Sequence, residues 1–276
     1  MSNLENTAGL LARLEDPDLR VIDARYDLKD PAAGRAAWER GHIPGAVHLD
    51  LGSDLSGPPA RHGGRHPLPD PEELAATFGR AGIGPGTSVV AYDAEGGMFA
   101  ARVWWLLRWL GFTEVRVLDG GFRAWTGEGH PVTSEVPPVR PAEFRGRPQP
   151  EMVTDRAAVL AAAEAGGTLL IDARAPARFR GETAEMDPVP GRVPGAVNRP
   201  HADNFGDDGR FLAPDRLRAL YGDLPLEGSA IAYCGSGVSA TVDLLAIAEA
   251  GLPLPQLYAG SFSDWITYPD SPVEKG

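Results

Sequence analysis

Short apolar runs recur along the chain, each bounded by glycine, proline or aspartate. Residues 21–23, 88–92 and 115–118 are continuous and rich in β-branched side chains, the pattern of strands buried on both faces. Between them, residues 99–110 place apolar side chains all round, as a well-buried helix does. Later in the chain, 230–233 reads as another strand and 240–248 as another helix. Strands alternating with helices predict an α/β fold with a mainly parallel sheet flanked by helices.

The pattern is written twice. VIDAR at 21–25, GHIPGAV at 41–47, VVAYD at 89–93 and VRVLDGGFRAW at 115–125 are answered by LIDAR at 170–174, GRVPGAV at 191–197, AIAYC at 230–234 and PQLYAGSFSDW at 255–265. A period of roughly 140–150 residues far exceeds the roughly 20–50 of a solenoid, so it marks two whole globular units. Between the copies, residues 131–150 contain six prolines, which remove backbone donors and favour extended chain. The expected division is an N-terminal domain at 1–135, a linker at 136–150 and a C-terminal domain at 151–276.

With 276 residues and 43% hydrophobic side chains, the chain suits two modest cores. Its longest apolar stretches, such as 103–107, fall far short of the roughly 20 residues of a bilayer span. Glu5, Arg13, Glu15 and Asp16 interrupt the place where an export signal needs an apolar segment. A soluble, cytoplasmic protein with no membrane partner is expected. A net charge of -12 without a basic stripe argues against nucleic acid. An anionic ligand must therefore be captured locally, which makes arginines near any candidate site informative.

Cys234 is the only cysteine, so no internal disulfide or thiolate cluster is possible. A lone cysteine is commonly core filler. This one, however, stands where an apolar strand ends and a helix follows, in the small loop Cys234-Gly235-Ser236-Gly237-Val238-Ser239. Ligands of open parallel sheets bind at such strand ends. Successive N–H groups of a glycine-bearing loop can turn inward as an anion nest, and the following helix adds the positive end of its dipole. Both favour a thiolate over a thiol whose free pKa is about 8.5.

The strand-CGSGVSA-helix segment at 234–240, GSFSDW at 260–265, and the GHIPGAV and GRVPGAV turns together resemble the tandem-domain rhodaneses, the thiosulfate and 3-mercaptopyruvate sulfurtransferases, over nearly the whole chain. The resemblance implies two rhodanese-like domains, with Cys234 as the catalytic cysteine of the second. The first is implied to have lost catalysis, since Asp93 stands at the equivalent position; the alternative is that Asp93 is a working carboxylate. The resemblance further implies that Gly235, Gly237, Val238, Ser239 and Ala240 surround the substrate, and that Arg178, in ARFRG, binds the substrate anion; a solvated or salt-bridging arginine is the plain alternative. Arg180 and Arg192, close by in sequence, read instead as solvated or salt-bridging arginines. Ser236 matches a loop serine thought to act with a histidine and an aspartate of the N-terminal domain. His66, in HPLP, matches that histidine, or is a surface histidine beside a proline turn. The aspartate has no clear counterpart: Gly52 falls near its place, with Asp50 and Asp54 close by.

The implied activity is transfer of a sulfane sulfur from a small anionic donor, 3-mercaptopyruvate or thiosulfate, to cyanide or a thiol through a Cys234 persulfide, with no metal or organic cofactor. Gly235 and Ser236, where thiosulfate enzymes carry basic residues, favour mercaptopyruvate. Asp187, where mercaptopyruvate enzymes carry a second arginine, pulls the other way. Two rivals are a noncatalytic sulfur-relay or binding module and a cysteine phosphatase. The latter needs an arginine six residues after its cysteine, and Ala240 holds that place.

Overall fold

The computed structural model describes residues 2–184, 186–227 and 229–276. The chain forms two compact units whose membership is not sequential. Unit 1 holds the residues up to Gly57, Pro69–Gln149 and Asp207–Phe211; unit 2 holds Pro58–Leu68, Pro150–Gly206 and Leu212–Gly276. This differs from the sequential division at 135 and 151 in three places, each with a hydrogen-bonding reason. The proline-rich run is no free linker: Ala142, Arg147 and Gln149 donate their N–H groups to the carbonyls of Gly79, Leu110 and Trp109 within unit 1. Segment 58–68 joins unit 2, where Gly63 N–H donates to Asp264 Oδ1 at 2.7 Å and the His62 ring stacks on Tyr268. Segment 207–211 joins unit 1, where Phe211 N–H donates to Asp119 Oδ1 at 2.8 Å.

Unit 1 runs β1 (Leu4–Glu5), α1 (Thr7–Ala12), β2 (Leu19–Asp23), α2 (Ala32–Arg40), β3 (Val47–His48), α3 (Pro71–Arg80), β4 (Ser88–Tyr92), α4 (Met98–Trp109), β5 (Val115–Leu118) and α5 (Gly121–Gly127). Unit 2 runs β6 (Val153–Thr154), α6 (Arg156–Ala165), β7 (Leu169–Asp172), α7 (Pro176–Phe179), β8 (Val197–Asn198), α8 (Pro214–Tyr221), β9 (Ala230–Tyr233), α9 (Ala240–Glu249), β10 (Gln256–Tyr258) and α10 (Ser261–Trp265). Each sheet has five strands, in the orders β1-β5-β4-β2-β3 and β6-β10-β9-β7-β8, and every pairing is parallel. The α/β expectation of two parallel sheets flanked by helices is met, with the apolar runs at 88–92 and 230–233 as the central strands β4 and β9.

The repeated motifs have a physical use. In VIDAR and LIDAR, the Nε/Nη2 edge of the arginine grips the aspartate two residues earlier, Arg25 on Asp23 and Arg174 on Asp172, with Nη2–Oδ2 distances of 2.6 Å in both. The same Nη2 atoms donate to Gly41 O and Gly191 O, which ties each strand end to the following proline-glycine turn. Each guanidinium also lies over a phenylalanine, Arg25 at 4.2 Å from the Phe122 centroid and Arg174 at 4.0 Å from Phe262. Trp125 and Trp265 close the two cores, each donating its indole N–H to a proline carbonyl, Pro131 or Pro272. Helix starts follow capping chemistry: Asp70 and Asp155 accept N–H bonds from the first turns of α3 and α6.

Candidate active site

β9 is buried along its whole length and delivers Cys234 to its carboxyl end, and α9 begins six residues later with its first eight residues buried. The intervening loop is pinned from below. Cys234 O accepts Phe262 N–H at 3.0 Å and Gly235 O accepts Ser263 N–H at 2.9 Å, both from α10. Gly237 makes the tight return at φ 74°, where a methyl would lie 2.2 Å from Ala259 O.

Cys234 is 1% exposed. Its Sγ accepts Gly237 N–H at 3.2 Å, and the Ser261 hydroxyl approaches at 4.0 Å. Ser236, Val238 and Ser239 have backbone N–H groups with no hydrogen-bond partner among the described residues. Ala240 opens α9, whose first N–H groups have no partner inside the helix. The cradle is therefore sparser at the sulfur than a full ring of inward amides: one amide touches Sγ, and others nearby are uncommitted.

The equivalent loop of unit 1 shows what such a cradle holds. Asp93 ends β4 as Cys234 ends β9, and its carboxylate accepts N–H groups from Gly97 at 3.2 Å, Phe99 at 2.8 Å and Ala100 at 3.2 Å. Its loop is pinned the same way, with Phe122 N–H on Asp93 O and Arg123 N–H on Ala94 O. Burial raises the Asp93 pKa to about 7 against the three amides, which pull it down.

Of the residues singled out in the sequence, Ser236 and His66 meet: Ser236 Oγ lies 2.9 Å from His66 Nδ1. His66 lies in the first of the two sequence repeats, in the segment 58–68 that packs with unit 2. Asp50 and Asp54 are used within their own turn, Asp50 Oδ1 accepting from Gly52 and Ser53 N–H and Asp54 Oδ2 from Asp50 N–H. Arg178 stands over the loop, its Nη2 atom 2.7 Å from where a Gly235 Cβ would be, and it also pairs with Asp187 Oδ2. Asp187, read from sequence as a missing positive charge, is instead an organiser, contacted by Arg65, Arg174 and Arg178. Arg180 pairs with Glu182, and Arg192 with Glu274 and the Gly276 carbonyl.

Two residues escaped sequence reasoning. Ser261 accepts Cys234 N–H at 3.1 Å while holding φ 54°, the only described non-glycine residue with positive φ. Its signal was present in the repeat, where GGF at 120–122 becomes GSF at 260–262 and Gly121 has φ 59°. Arg65 left no signal, because its segment joins unit 2 only in three dimensions.

The Rhodanese-like domain family matches residues 6–128 and 155–268. The chain belongs to the rhodanese family. Among its relatives, a probable 3-mercaptopyruvate sulfurtransferase of Pseudomonas aeruginosa is 47% identical, covering 97% of this chain and 96% of that one. A putative thiosulfate sulfurtransferase of Mycobacterium tuberculosis is 39% identical over 95% and 92% of the two chains. The crystal structure of SseA from Escherichia coli, a 3-mercaptopyruvate sulfotransferase, matches this rhodanese with TM-score 0.83 at 31% identity, covering 95% of this chain and 100% of that one.

Proposed function

We propose that this rhodanese is a sulfurtransferase that carries a sulfane sulfur on Cys234. The thiolate is the nucleophile of such chemistry. Cys234 sulfur attacks the outer sulfur of the donor, the bond between that sulfur and the rest of the donor breaks, and sulfite or pyruvate leaves. For mercaptopyruvate the leaving carbon takes up a proton. A thiophilic acceptor, cyanide or a thiol, then removes the sulfur and restores the thiolate. The observation that carries this reading is the loop itself: a sulfur touched by one amide, with uncommitted amides at Ser236, Val238 and Ser239 able to receive the negative charge of a persulfide.

Ser236 and His66 form a hydroxyl–imidazole pair suited to moving the proton that mercaptopyruvate chemistry requires. Arg178 supplies charge for the donor's oxyanion. Unit 1, with Asp93 in its loop, is catalytically silent and the C-terminal unit carries the reaction. No helix among the described residues is long and apolar enough to cross a membrane. The free thiol suits a reducing compartment such as the cytoplasm.

The preferred donor is 3-mercaptopyruvate. Intact-mass measurement after exposure to either donor should show the gain of one sulfur atom, absent in Cys234→Ala; no gain with either donor overturns the reading. Steady-state comparison should give the higher kcat/KM with mercaptopyruvate, and a clear thiosulfate preference would reverse the assignment of donor.

A further inference from the structure

Asp93 marks the carboxyl end of the unit 1 sheet. At the opposite end, where β4 and β5 begin, lies a cavity of about 650 Å³ lined by Arg13, Arg108 and Arg116, with Ser88, Thr113 and Glu114 among its other walls. The three arginines come from separate elements: Arg13 follows α1, Arg108 lies in the last turn of α4 and Arg116 lies in β5.

The acids nearby serve two of them. Arg13 and Arg116 share one carboxylate oxygen, Glu5 Oε2, at 3.5 and 2.8 Å, and Arg13 also lies 3.6 Å from Asp16 Oδ2. Arg108 is half-buried and forms no ion pair among the described residues. Its Nη1 donates to Asn3 Oδ1 at 3.2 Å, and its Cζ lies 5.2 Å from the ring centroid of the fully buried Trp104. Its Nε and Nη2 groups have no hydrogen-bond partner among the described residues. Burial pulls its pKa below the usual arginine value, with no carboxylate acting the other way.

Nor does the helix need this charge at its end. The carbonyls of Leu107, Arg108, Trp109 and Leu110 already accept N–H groups from Phe112, Gly111, Gln149 and Arg147. A guanidinium withdrawn from water without a carboxylate costs stability, so its place at the cavity wall calls for an anion. Ser88 Oγ accepts from Arg13 and keeps its own O–H to donate. Guanidinium forks converging from three elements suit the several oxygens and double charge of a phosphate group. The volume falls in the range of roughly 300–1,000 Å³ of small-molecule sites, which leaves room for whatever the phosphate is attached to.

We propose that this cavity of unit 1 is a binding site for a small phosphate ester, with Arg108 as the anchor of the phosphate and Arg13, Arg116 and Ser88 beside it. The site is independent of the chemistry read from Cys234.

The test is calorimetric titration of the full chain, at constant ionic strength, with ribose 5-phosphate and with inorganic phosphate. Wild type should bind ribose 5-phosphate saturably and more tightly than inorganic phosphate. Arg108→Gln should weaken that binding about tenfold or more, as loss of a charged hydrogen-bond donor predicts, while unfolding in urea near the wild-type midpoint. Arg178→Gln, which alters the cysteine loop, should leave it within about twofold. If Arg108→Gln does not fold, Arg116→Gln decides, with an expected loss of about threefold or more. Absence of saturable binding, or binding indifferent to the arginine of unit 1, overturns the proposal. Binding lost in Arg178→Gln instead places the anion at the cysteine loop and overturns it too, and equal affinity for inorganic phosphate rejects the ester.

Discussion

The two glycines of the cysteine loop are alike in sequence and different in what surrounds them. At Gly237 a methyl would meet the Ala259 carbonyl at 2.2 Å and would also have to adopt φ 74°. Backbone cannot yield as a side chain can, so Gly237→Ala should lose about 2 kcal/mol or more in denaturant unfolding and abolish turnover. At Gly235 the methyl meets only the tips of Arg65 and Arg178. Flexible guanidinium ends can retreat, so Gly235→Ala should unfold at nearly the wild-type denaturant midpoint but show a raised KM for both donors. Equal damage to stability at both positions would contradict this division of labour.

At the level of elements, the repeated Asp-x-Arg at each strand end is a buried ion pair that also fastens the neighbouring turn. Asp172 is fully buried and Arg174 is 2% exposed. Asp172→Ala would leave that guanidinium charged and enclosed, which should cost about 3–5 kcal/mol on unfolding by denaturant. These elements were legible in the sequence. β-branched runs gave β2, β4 and β5, the repeat gave their counterparts in unit 2, and Cys234 was placed at a strand-to-helix loop by the glycines around it. Arg65 and the membership of segment 58–68 were not legible. Hydrophobic periodicity reports which residues are buried, and residues 58–68, with Pro58, Pro59, Gly63 and Gly64 among them, carry no period. Their place is set by side-chain hydrogen-bond partners, Asp264, Ser263 and Thr267, roughly two hundred positions away. Ser261 was half legible, since only alignment of the copies reveals a serine at a glycine's backbone angle.

For the molecule as a whole, the duplicated loops make stability depend on pH. Burial lifts Asp93 from 3.8 to about 7 in unit 1. Between those values the folded chain holds a proton that the unfolded chain has released. The contribution of Asp93 is therefore largest at acid pH, declines as pH rises toward about 7 and is flat above it, a change on the order of a few kcal/mol. Urea unfolding of wild type and Asp93→Asn at pH 5 and pH 8 should show the wild type losing stability relative to the variant on the alkaline side; parallel behaviour would contradict it. The same carboxylate has one further consequence. Unit 1 keeps a resident carboxyl group, built into its own chain, where unit 2 waits for a visiting anion. Exchanging that acid for a thiol would not double the reaction centres, because Glu95, an exposed carboxylate paired with Arg123, stands where the active loop has the Ser236 hydroxyl.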